Sequence, residues 1–138
     1  MKTIQKLIVI LGLCTLALAS CKKDDNSTPS GSTTITGNWR VTYYTENGVD
    51  HLSCFNGYTF TFNSGGVLTA TNSGSTLTGT WTTGSDDSHN KLILQFSSSS
   101  CFLEISDDWQ ILEQTSSKIR LENVSGSGGT DLLTFEKN

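Results

Sequence analysis

Tyr58-Thr59-Phe60-Thr61-Phe62-Asn63-Ser64-Gly65-Gly66 sets three aromatic rings on alternate residues, with threonines between them, and then breaks into a glycine turn. A period of two puts all three rings on one face of an extended strand. The same pattern runs outward in both directions. Upstream, Trp39, Val41 and Tyr43 alternate with Arg40, Thr42 and Tyr44, and Asn47-Gly48 follows as a hairpin turn. Downstream, Val67 to Thr71 ends at Asn72-Ser73-Gly74, and Leu77, Gly79 and Trp81 then alternate with threonines. A polar turn is expected over 84–90, after which Leu92, Leu94 and Phe96 share a face. Cys101, Leu103 and Ile105 read as the next strand, followed by Trp109 to Gln114, by Ile119 and Leu121, and by Leu132 to Glu136. About nine short strands with hairpin-length links predict an all-β antiparallel meander. Closing such a meander into an up-and-down barrel removes its exposed edges. A two-sheet sandwich is the alternative.

Composition supports a small β domain. The chain has 138 residues, of which 39 are Ser or Thr, 13 are Gly and one is Pro. A helical bundle or coiled coil needs far more Ala, Leu, Glu and Lys. Twelve aromatic residues spread along the chain argue against simple disorder. The net charge is −4, and nucleic-acid binders carry a basic face, so no nucleic acid is expected as a partner.

Residues 1–20 read as an address rather than as fold. Lys2 and Lys6 form a basic start, and Leu7 to Leu18 is an apolar run of about a dozen residues, shorter than the roughly 20 that span a bilayer. Leu18-Ala19-Ser20-Cys21 then resembles the lipobox of bacterial lipoproteins. That resemblance implies cleavage before Cys21, acylation of its thiol, and attachment to a membrane through the lipid. Two or more acyl chains hold a protein stably. Lys23-Asp24-Asp25 resembles the surface-export signal of Bacteroidetes lipoproteins, which implies an outer-membrane protein facing the cell exterior. Residues 21–35 are rich in Ser and Thr and are expected to be a lipidated flexible tether, with the folded domain at 36–138. That domain has five basic and eleven acidic side chains, so the lipid and not surface charge must supply membrane attachment.

Of the four cysteines, Cys14 lies in the signal and Cys21 at its end, which leaves Cys54 and Cys101. An exported protein meets an oxidising compartment, so a disulfide between them is expected. A metal pair or a reactive thiol is the alternative.

The ordered set Gly37-Asn38-Trp39, Tyr58-Thr59-Phe60-Thr61-Phe62, Gly79-Thr80-Trp81, Asp108-Trp109-Gln110-Ile111-Leu112 and Leu133-Thr134-Phe135 resembles the small lipocalin-like lipoproteins of Bacteroidetes. The resemblance implies a lipocalin-like, calycin-type barrel. It also implies that Trp39 plugs the barrel base against a basic residue near the last strand, with Arg120 the candidate partner. The chain is shorter than ordinary lipocalins and lacks their C-terminal helix.

No catalytic constellation stands out. His89 sits in a polar turn beside Asp86, Asp87 and Ser88, and such groups must converge through the fold to form a triad. Neither an enzyme nor a metal or cofactor site is expected. Trp39, Tyr43, Tyr58, Phe60, Phe62, Trp81, Phe96 and Trp109 are the candidate ligand-binding residues. They either line a pocket for a small apolar or amphipathic ligand or fill the barrel, since eight strands enclose an interior that side chains can just fill. In the second case the domain, expected to be monomeric, would bind a protein or glycan through its surface.

Overall fold

The structure, a computed structural model, describes residues 34–97 and 100–138. The expected signal 1–20, acylated Cys21 and most of the tether lie outside the described residues.

Nine strands form one antiparallel sheet: β1 (Gly37–Glu46), β2 (Val49–Asp50), β3 (Thr59–Phe62), β4 (Val67–Asn72), β5 (Ser75–Asp86), β6 (His89–Phe96), β7 (Asp108–Gln114), β8 (Lys118–Val124) and β9 (Thr130–Lys137). Eight of them close into a barrel, because β9 returns to pair with β1. The short β2 folds back on the end of β1 through Asn47-Gly48, with Thr45 opposite Asp50. Both turn residues have positive φ, 50° and 81°, as a two-residue hairpin with right-handed twist requires.

The alternation read from the sequence holds in β3, β4 and β6. Phe60, Phe62, Leu68, Ala70, Leu92, Leu94 and Phe96 point inward. The outer wall of β4 and β5 is threonine: Thr69 pairs with Thr78, and Thr71 with Thr76. Gly79 is required by packing, because a Cβ there would run into the backbone oxygen of Gln95 and stand 2.8 Å from the Phe96 ring.

Three expectations are corrected. Residues 101–105 are not a strand: α1 (Ser100–Glu104) is a short helix. Helical spacing lets Phe102 and Ile105 be buried while Leu103 is exposed, where strand alternation would have put Leu103 with Ile105. The polar stretch 84–90 is mostly strand, because β5 and β6 extend through it as an exposed hairpin turning only at Asp87-Ser88. Finally, a bulge at Thr42 offsets the register of β1 on β9: Val41 faces Phe135, but Tyr43 faces Thr134. The extra residue reverses the parity, so Tyr44 is buried and Tyr43 lies outside.

Candidate functional site

The barrel interior is occupied by its own side chains. Phe60 stands 5.3 Å from Phe135 and 5.8 Å from Phe102, centroid to centroid, and Phe62 stands 5.5 Å from Phe135. Phe102, on α1, also meets Phe55, Tyr58 and Phe96 edge-on at 5.0–5.4 Å. Edge-to-face contacts at these separations suit the ring quadrupoles. Phe55 comes from a one-turn 3-10 helix (Leu52–Phe55), joined to α1 by the Cys54–Cys101 disulfide. The expected bridge therefore ties together the two segments whose rings close one end of the barrel.

At the other end Trp39 is fully buried, and its indole N–H donates to the Ile35 carbonyl at 2.7 Å. The cation beside it is Lys137, not Arg120. Lys137 Nζ lies 4.2 Å from the Trp39 ring centroid and donates to the Thr36 carbonyl at 2.7 Å. Arg120 is on the outer face, where it pairs with Glu113 at 3.7 Å. Gly37 makes room for this arrangement: its φ is +113°, and a Cβ there would lie 2.8 Å from Lys137 Nζ. Trp109 is buried in the same style, its indole N–H donating to the Ile105 carbonyl at 2.9 Å.

The candidate ligand residues thus divide by position. Trp39, Phe60, Phe62, Phe96 and Trp109 are in the core. Tyr58 and Trp81 are half-buried against it, and the Trp81 indole N–H donates to the Asn63 carbonyl. Tyr43 is outside, 46% exposed.

There, Tyr43 lines an open groove of about 300 Å³ with Leu112, Arg120, Leu121, Leu132 and Thr134. Two irregularities build it. One is the bulge at Thr42; the other is at Leu112 in β7, where Ile111 faces Leu121 but Glu113 faces Arg120. The second leaves Leu112 42% exposed. The groove therefore combines an aromatic ring, two leucines open to it, and a guanidinium at its side. Neither Leu112 nor Leu132 is among the candidate ligand-binding residues of the sequence, because a bulge has no signature in apolar alternation.

Tyr44, next to Tyr43 but facing inward, is 1% exposed, and its hydroxyl has no hydrogen-bond partner among the described residues. Burial, reinforced by Glu46, Glu104 and Asp131, pushes its phenol far above the ordinary pKa of 10.0.

These features define a closed eight-stranded antiparallel barrel with one appended strand. It is similar to the crystal structure of a DUF4847 family protein from Bacteroides vulgatus, with a TM-score of 0.51 and 16% sequence identity, covering 75% of this chain and 93% of that one. At that identity the likeness is one of fold. No protein-family model matches the chain, and no curated protein matches it.

Proposed function

We propose that this chain is a lipid-anchored outer-membrane lipoprotein, facing the cell exterior, whose barrel is a solid, non-catalytic recognition module acting through its outer wall. The observation that carries the reading is the interior: Trp39, Phe60, Phe62, Phe102, Trp109 and Phe135 are each no more than 2% exposed and pack on one another or on the strands around them. Space filled this way serves stability, and recognition falls to the outside. The groove of Tyr43, Leu112, Leu132 and Arg120 has the residue types enriched where proteins bind one another, aromatic and Arg above all. The threonine wall of β4 and β5 offers water a polar face rather than lipid an apolar one, which supports attachment through Cys21.

A photo-crosslinking amino acid at Tyr43, with one at Thr78 on the threonine wall as control, tests the groove on intact cells. The expected result is a discrete adduct from position 43 alone. Equal labelling from both positions overturns the assignment.

The size of the groove favours a second reading. About 300 Å³ reaches the lower end of small-molecule sites. A small apolar or amphipathic ligand would then lie against Tyr43 and Leu112 rather than inside the barrel. Displacement of a fluorescent fatty acid, lost in Tyr43→Ala and Leu112→Ser, would favour this reading over the macromolecular one.

A further inference from the structure

Three acid or imidazole side chains far apart in sequence meet at the rim of the barrel where the disulfide lies. Glu46 comes from the end of β1, His51 from the turn before the 3-10 helix, and Glu104 from the end of α1. One ligand atom from each lies within 4.8 Å of the other two, and His51 Nε2 stands 3.9 Å from Glu46 Oε2. Among the described residues no Lys or Arg forms an ion pair with Glu46 or Glu104. A second, independent observation points to the same place. The Tyr44 ring lies 6.1 Å from the His51 ring, and its buried hydroxyl, with no partner among the described residues, stands within the electrostatic reach of Glu46 and Glu104.

We propose that Glu46, His51 and Glu104 form a binding site for a divalent first-row transition-metal ion, for which zinc is the natural probe. One imidazole and two carboxylates match the ligand preferences of such ions, whereas calcium and magnesium take oxygen ligands almost exclusively. Two carboxylates also balance a charge of +2. In a tetrahedral zinc site with bonds of roughly 2.0–2.1 Å, ligand atoms sit about 3.3 Å apart. Binding an ion would draw the present separations in to that value by rotation of the two flexible glutamate side chains. Three protein ligands leave the fourth position to water, and the partial exposure of the rim gives that water access. Donation from the Tyr44 hydroxyl to a liganding carboxylate would satisfy that buried group and orient the ligand.

The disulfide preorganises the site. Cys54 follows His51 by three residues, and Cys101 precedes Glu104 by three. The bridge, with Cα atoms 6.0 Å apart, fixes the segment bearing one ligand against the segment bearing another. Zinc affinity should therefore depend on the oxidation state of a bond that touches no metal.

The test is calorimetric titration of zinc chloride into the full chain, stripped with chelator, disulfide intact and free thiols alkylated. One ion per chain is expected, with no heat from equimolar magnesium or calcium. His51→Ala and Glu104→Gln should each weaken binding at least tenfold, while Glu113→Gln, on the outer wall, leaves it unchanged. Reduction with a non-chelating phosphine, followed by alkylation of the freed Cys54 and Cys101 so that neither thiol can bind zinc, should also weaken it about tenfold. A cobalt-loaded wild-type chain supplies a readout that needs no variant: its d–d absorption should show nitrogen and oxygen ligation at low coordination number. No binding at millimolar zinc, binding that survives both substitutions, or an octahedral all-oxygen cobalt spectrum overturns the site.

Discussion

Lys137 brings one ammonium to two targets, the face of Trp39 and the carbonyl of Thr36, and so fastens the segment before β1 across the barrel base. A lysine can do this because its compact charge sits at the end of a long apolar stem. Lys137→Met keeps the stem and removes the charge. It should cost about 1–2 kcal/mol, read as a lower urea midpoint with an unchanged m-value. Tyr44 is the opposite case, a buried hydroxyl without a partner among the described residues. In metal-free protein Tyr44→Phe should be neutral or stabilising, because it removes an unsatisfied group while keeping the ring. The raised phenol pKa fixes the sign of the pH dependence. Above pH 10 the unfolded chain releases this proton while the folded chain holds it, so stability is full below about pH 10 and falls as pH rises further. Urea midpoints at pH 8 and pH 10.5 should diverge more in the wild type than in Tyr44→Phe. At this scale the sequence was readable only in part. Buried Trp39 followed from alternation, but the choice between Lys137 and Arg120 depended on which wall each residue faces, and the ring contacts that decide it join the two ends of the chain.

At the scale of elements, period-two patterning located nearly every strand, because one face of each meets a dry core and the other meets water. It failed where one residue breaks the period. The extra residue at Thr42 exchanges the roles of Tyr43 and Tyr44, and the irregularity at Leu112 opens the outer groove. It failed again at Ser100–Glu104, where five residues are too few to display a helical period. The cluster of Glu46, His51 and Glu104 was equally hidden, since 57 residues lie between the outer two and nothing local marks them as neighbours. The disulfide was legible from cysteine number and the expected export, and the structure contains it. Replacing Cys54 and Cys101 together by alanine opens a loop of sequence separation 47, and should cost about 4 kcal/mol by loop-closure entropy. Thermal unfolding of the double variant against the parent checks this, and the loss should be largest where α1 and the 3-10 helix cover the barrel end.

At the scale of the whole molecule, the organising contact is the pairing of β1 with β9, which runs from Trp39 opposite Lys137 to Thr45 opposite Leu132. The closed barrel is formed by strands between Gly37 and Lys137, around a core that runs from Ile35 to Phe135. Cys21→Ala should therefore leave the circular-dichroism spectrum and melting temperature of the domain unchanged while releasing the protein from the membrane fraction. Continued sedimentation with membranes would count against acylation at Cys21. The ring also sets a schedule. On a ribosome, or in any channel that passes the polypeptide from its start, β1 emerges before the other strands and must wait for its main neighbour until β9 has followed. Non-local pairing of this kind is slow to form. A stop just before Thr130 would remove β9 and leave β1 and β8 each with one unpaired edge, turning a self-contained ring into an adhesive ribbon.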